Sequence, residues 1–267
     1  MKANPRNTAG PLPLISTQQL RWFTNYVRWY LQRNFHGLHL LRLAPLEILT
    51  DYPLLVCLNH PSWWDPLIGV YLSQRFFSHR RHYGPIAAAG IAKYKFFERL
   101  GFFAIEPGNF GGTTRFLRIG QAALATPGAA LWVTPQGAFT DVRSRPIEIQ
   151  PGIGYLAHRL RGRFAMLPVA LEYSFWSERF PEAFACFGQP VLARSGADRL
   201  PEEWSALFSQ SLEHASNVLA EHVQRRDAAA FEPLLGGRAG VGGAYDLWCA
   251  CKARLQGKRW QPEHGAR

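Results

Sequence analysis

The sequence predicts an α/β protein in which a mixed, largely parallel sheet is flanked by helices, with an amphipathic helix in front and a helical extension behind. Short apolar runs ending in loop signals alternate with stretches of helical periodicity, which is the pattern of a sheet with parallel members and ligands at the strands' carboxyl ends. The chain has 267 residues, 47% of them hydrophobic, enough to bury one sizeable core. No run of roughly 18 apolar residues occurs, so no membrane-crossing helix is expected.

Taken in order, residues 1–38 read as a Pro- and Gly-containing leader and an amphipathic helix over 17–36. That helix sets Trp22, Phe23, Tyr26, Val27, Trp29, Tyr30 and Leu31 on one broad arc, opposite Arg21, Asn25, Arg28 and Gln32. Two readings stay open for it: an aromatic, basic helix lying in a bilayer interface, or an ordinary helix packed on the core. Residues 39–225 hold the expected catalytic domain. Its strand-like runs are 54–58, 102–105, 130–133 and 165–173, and its helix-like stretches are 67–77, 87–100, 113–125 and 152–160. An amphipathic helix over 201–225 carries Trp204, Leu207, Leu212 and Leu219. From 226 to 267 a Gly-rich joint (Gly236, Gly237, Gly240, Gly242, Gly243) leads to a basic tail with Lys252, Arg254, Lys258 and Arg259.

Charge narrows the partners. With 30 Lys and Arg against 19 Asp and Glu, the net charge of +11 favours an anionic bilayer, coenzyme A, an acidic carrier protein or nucleic acid. Nucleic acid is set aside, because there is no zinc-finger spacing, Lys/Arg-rich block or helix-turn-helix signature. Four cysteines without metal-ligand spacing predict a reducing compartment and no metal, and the N-terminus does not read as a signal peptide. The expected location is cytoplasmic, peripheral on the inner face of the membrane.

The chemistry concentrates where the run 54–58 opens into Asn59, His60, Pro61, Ser62, Trp63, Trp64, Asp65 and Pro66. A histidine at a strand's carboxyl end can take a proton from a hydroxyl near neutral pH. A carboxylate on its other ring nitrogen would fix the tautomer and stabilise the imidazolium. Asp65 is close enough in sequence to reach it, although the same aspartate could simply cap the following helix. Ser62 competes as a nucleophile, and Trp63 and Trp64 suit an acyl chain or a lipid acceptor.

The phrase NHPSWWDP resembles the first signature of the phospholipid/glycerol acyltransferase family, a His and an Asp separated by four residues. The resemblance implies His60 as general base and Asp65 as its orienting partner, with no catalytic role for Ser62. It spans roughly residues 54–172. The second signature is similar to residues 101–107 (GFFAIEP), with Gly101 retained and the usual closing Arg replaced by Pro107. The third, normally Phe-Pro-Glu-Gly-Thr-Arg, is similar to residues 134–139 (TPQGAF), where Gln136 replaces the Glu and Phe139 the Arg. The fourth matches Leu167, Pro168, Val169 and Ala170.

By that resemblance the fold is glycerol-3-phosphate acyltransferase-like and the reaction is O-acylation of a lipid hydroxyl from acyl-CoA or acyl-carrier protein, without a further cofactor. The expected substrate-binding residues are Asn59, Ser62, Trp63, Trp64, Gly101, Arg115, Pro135, Gln136, Gly137 and Arg143. The family's lost arginines hold an acceptor phosphate, so their absence favours a lysophospholipid other than lysophosphatidic acid, or a neutral hydroxylated lipid, glycolipid or isoprenoid. A backbone N–H at Gly137 or a nearby Arg is the expected oxyanion donor. The alternative is an inactive protein of the same fold that binds lipid or acyl-carrier protein.

Overall fold

The computed structural model describes residues 12–106, 108–240, 252 and 254. They form an α/β structure with nine strands in a mixed, mostly parallel sheet flanked by helices. The strands are β1 (Gly37–Arg42), β2 (Leu54–Leu58), β3 (Arg81–Ala87), β4 (Phe102–Ile105), β5 (Ala129–Val133), β6 (Phe164–Ser174), β7 (Glu182–Phe187), β8 (Val191–Ala193) and β9 (Glu232–Gly236). The helices are α1 (Thr17–Asn34), α2 (Asp65–Phe76), α3 (Ala88–Lys93), α4 (Phe110–Leu124), α5 (Gly152–His158) and α6 (Pro201–Arg225). The expected 87–100 helix is broken: α3 ends at Lys93 and a 3₁₀ turn, Lys95–Leu100, completes it.

The sheet runs β4-β3-β5-β2-β6-β7-β1-β9, with β8 beside β6. From β4 to β6 all neighbours are parallel; β6–β7 and β1–β9 are antiparallel. All five residues of β2 are buried, because each of its faces meets a separate helical layer. Leu54, Val56 and Leu58 point to the side holding Phe23, Val27 and Leu31 of α1 and Ile68 and Leu72 of α2. Leu55 and Cys57 point to the side holding Leu117 and Leu124 of α4, Leu156 of α5 and Trp204 and Phe208 of α6. The period-two alternation of a strand thus sorts one short run between two cores.

The tail begins later than position 226. β9 pairs antiparallel with β1, Gly236 lies inside that strand, and the backbone N–H groups of Gly237 and Arg238 donate to His36 O and Phe35 O. Residues 232–236 therefore belong to the sheet, joined to α6 by the 3₁₀ turn Ala228–Ala230. They were misread because β9 is short and carries Pro233, which an edge strand tolerates and a central one does not. Of the expected tail, only Lys252 and Arg254 are among the described residues, both helical and exposed.

Two buried polar residues tie β3 and its neighbours together. The Arg80 guanidinium donates to Tyr52 O, Leu49 O and Thr50 O at 2.8, 2.5 and 3.0 Å, holding the loop before β2. His82 accepts from Trp132 Nε1 at 3.0 Å through Nδ1, so its Nε2 carries the hydrogen donated to Phe77 O at 2.9 Å. Burial, reinforced by the nearby Arg80 and His79 charges and opposed by the Phe77 hydrogen bond, pushes His82 down to about 4 from 6.5.

That depression sets a pH dependence. Between about 6.5 and 4 the unfolded chain binds the His82 proton and the folded chain does not, so stability is full above this window and drains as pH falls through it. The loss approaches roughly 3 kcal/mol at the acid end. Urea midpoints measured from pH 7 to 4 should therefore fall more steeply for the wild type than for His82→Gln; parallel curves would show that His82 titrates normally.

Candidate active site

β2 delivers the chain to Asn59, which is 3% exposed and acts as a side-chain rung of the sheet. Its Nδ2 donates to Leu171 O at 2.9 Å and its Oδ1 accepts from Leu171 N at 2.7 Å, extending the β2–β6 register beyond the end of β2. His60 follows with its backbone held on both sides. Its N–H donates to Gln136 Oε1 at 2.8 Å and its carbonyl accepts from Thr140 N at 3.0 Å, joining this loop to the one after β5. Gln136 thus grips the His60 loop, and Gln150 in turn grips the Gln136 segment, with Nε2 donating to Gln136 O at 3.2 Å and N donating to Pro135 O at 2.7 Å.

The His60 ring is bound through Nδ1 to Asp65 Oδ2 at 2.7 Å. Asp65 opens α2 but does not cap it, since the N-cap position is Trp64 and no side chain caps the helix. Its carboxylate turns back toward the loop and is completely buried. Such a group requires donors. Oδ2 also accepts from Ser62 N at 2.9 Å, and Oδ1 accepts from the Tyr173 hydroxyl at 2.6 Å. With N–H and O–H donors on the carboxylate, the His60 contact supplies a third hydrogen, which assigns the Nδ1–H tautomer and leaves the Nε2 lone pair as the basic position.

Tyr173 was not among the residues expected at the site. It sits at the end of β6, and the strand's alternation through Leu167, Val169 and Leu171 puts it on the α2 side of the sheet. That parity was the available signal. Burial first, then the Asp65 charge and hydrogen bond, raises the Tyr173 hydroxyl well above its usual range, so it remains a donor.

Aromatic rings surround the dyad. Phe139 is 62% exposed, and its ring centre lies 4.4 Å from that of His60. Trp63 is equally exposed, whereas Trp64 packs inward on Tyr30 and Phe35 at 5.2 and 4.9 Å. Tyr30 continues through Tyr26 to Trp22 in a stacked series along α1. On α1, Phe23, Val27 and Leu31 enter the core, as the packed-helix reading expects, while Trp22, Tyr26 and Trp29 stay exposed.

The other expected residues fall differently. Gly101 is buried at φ +99°, where a Cβ would stand 2.1 Å from His82 O, so the packing of β4 on β3 by itself requires glycine there. Gly137, at φ +74°, spends its N–H on Thr134 O at 3.1 Å and is not available to an oxyanion. Pro135 is a buried central residue of that turn. Arg143 is committed to Asp141, Nε to Oδ1 at 2.9 Å and Nη2 to Oδ2 at 2.8 Å, and these bonds hold the Asp141 carboxyl well below its usual range. Arg145 is likewise occupied by Asn217 Oδ1 and two loop carbonyls. Arg115 lies exposed on α4. Ser62 Oγ accepts from Trp64 N at 3.3 Å, a turn contact.

Burial drives the thiols of Cys57 and Cys186 upward, the latter to about 12, so neither offers a thiolate. Among the described residues no group of three or more His, Cys, Asp or Glu side chains is placed to hold a metal ion. No protein-family model matches the chain, and no curated protein matches it. What the residues present is a carboxylate-oriented imidazole with a basic Nε2, set at the carboxyl ends of parallel strands and walled by aromatic rings.

Gly101→Ala tests the packing assignment. Forcing a Cβ against a backbone oxygen at positive φ should destabilise the fold by about 2–4 kcal/mol, read as a lowered urea midpoint. A substitution that left stability untouched and weakened ligand binding would return Gly101 to the site.

Proposed function

We propose that the protein is an acyltransferase that moves a fatty acyl group from acyl-CoA or acyl-carrier protein to a lipid hydroxyl. The observation that carries this reading is the His60–Asp65 pair at 2.7 Å, with Asp65 buried and fully bonded and His60 Nε2 left as a base. The acceptor hydroxyl gives its proton to Nε2 as its oxygen attacks the thioester carbonyl. The C–S bond then breaks, and the departing thiolate recovers that proton from the imidazolium. No acyl-enzyme is required.

The surroundings favour an acceptor without a phosphate at its reacting end. Phe139 lies against His60 where the resembling family has an arginine, and Arg143 and Arg145 are engaged by neighbouring oxygens. A lysophospholipid whose phosphate stays away from the dyad, or a neutral hydroxylated lipid, meets that condition.

The aromatic face of α1 supports a peripheral position on an anionic membrane. Trp22, Tyr26 and Trp29 are exposed there, with Arg21, Arg28 and Arg33 exposed on the same helix and Arg33 lying 5.7 Å over Trp29. Trp and Tyr suit the headgroup level, and the arginines suit its charge.

Release of free thiol from palmitoyl-CoA in the presence of total lipid extract, repeated with acyl-carrier protein as donor, measures the reaction. His60→Ala should abolish it while melting like the wild type, and Asp65→Asn should lower kcat by at least about a hundredfold. Wild-type rates in a folded His60→Ala protein would refute the mechanism, and silence with both donors would favour a binding protein. In vesicle flotation, Trp22→Ser combined with Trp29→Ser should reduce binding to anionic membranes. Unchanged flotation would remove α1 from the contact.

A further inference from the structure

Asp65 presents two oxygens, and the base reaction as described uses only one. Oδ2 faces His60 Nδ1 and Ser62 N; Oδ1 faces the Tyr173 hydroxyl at 2.6 Å. That separation falls in the range of charge-assisted O–H···O⁻ bonds, among the strongest neutral-donor contacts a carboxylate makes. Tyr173 is held in place from the other side by Phe35, ring centres 5.8 Å apart, and Phe35 also carries Trp64 at 4.9 Å. The phenol is thus fixed by the core of the sheet and aimed at the one carboxylate oxygen that His60 does not touch.

We infer that Tyr173 is a positioning residue of the acyl-transfer site, which sets how strongly Asp65 holds the imidazolium at His60. The inference rests on the acyltransferase reading of that site. By donating to Oδ1, Tyr173 draws negative charge away from Oδ2 and fixes the carboxylate plane in line with His60 Nδ1. A carboxylate bonded in this way orients the ring while its charge is shared between two hydrogen-bonded oxygens. In the Phe variant Oδ1 is buried without a donor, its charge concentrates on Oδ2, and the imidazolium is held harder. His60 then becomes an available base only at higher pH, and the carboxylate is free to rotate.

The experiment compares wild type, Tyr173→Phe and His60→Ala by thiol release from palmitoyl-CoA with lipid extract, across pH 5–9, alongside thermal melting. Tyr173→Phe is expected to lower kcat on the order of tenfold, the equivalent of one hydrogen bond to a charged group, with KM for palmitoyl-CoA unchanged. The acid limb of kcat/KM should move to higher pH. A packing role alone would lower the melting temperature and leave the limb in place, and that result overturns the inference while His60→Ala, if inactive, upholds the acyltransferase reading. Thiol release that does not depend on His60 removes both. Should Tyr173→Phe not fold, protein carrying 3-fluorotyrosine at position 173 alone answers the same question. Its more acidic phenol donates more strongly and should move the limb to lower pH, and an unmoved limb there overturns the inference.

Discussion

Asp65 carries a carboxylate buried to the last atom, and a charge in that position survives only if every lone pair that needs a hydrogen finds one. Three elements must arrive together to supply them: the loop after β2 with His60 and Ser62, the first turn of α2, and the end of β6 with Tyr173. Their meeting depends in turn on β2 and β6 lying side by side in register, a register that Asn59 extends by bonding both backbone groups of Leu171. Displacing any of these leaves a bare charge inside the protein, so the fold and the geometry of the dyad stand or fall together.

The loop after β5 adds a second fastening of a different kind. Gln136 is neutral, and it accepts the His60 N–H without adding charge beside the imidazole. Where a glutamate would balance a neighbouring arginine, here both are absent, and the aromatic ring of Phe139 occupies the space beside the base. Arg143, which reads in sequence as free positive charge, is folded onto Asp141 two residues away. The chain carries a net charge of +11, yet Arg143 and Arg145 on the loop after β5 are both engaged by neighbouring oxygens.

Much of this could be read from the sequence, and the parts that could not share physical causes. The runs at 54–58 and 102–105 and the helix at 201–225 stand where periodicity puts them, because each is strongly patterned. β1, β3, β7, β8 and β9 were not foreseen: β1, β3 and β9 contain Pro or Gly, β8 has three residues, and β7 is rich in Ala and buried on both faces, so none alternates visibly. At the site, His60 and Asp65 were legible because they lie five residues apart. Tyr173 was not, since it is 108 residues from Asp65 and its role appears only once β6 is placed beside β2. Gly101 and Gly137 illustrate the converse, glycines whose motif positions reflect backbone conformation at positive φ.

The two ends of the sheet are finished in ways that govern what can join it. β4 has four residues, and β9 has five with Pro233 among them, so neither border offers a long row of unpaired N–H and C=O groups. Another chain cannot easily extend the sheet by adding a strand, either as a normal complex or as the first step of aggregation. What remains open to contact is side-chain surface, including the exposed rings of α1 and of Trp63 and Phe139 near His60.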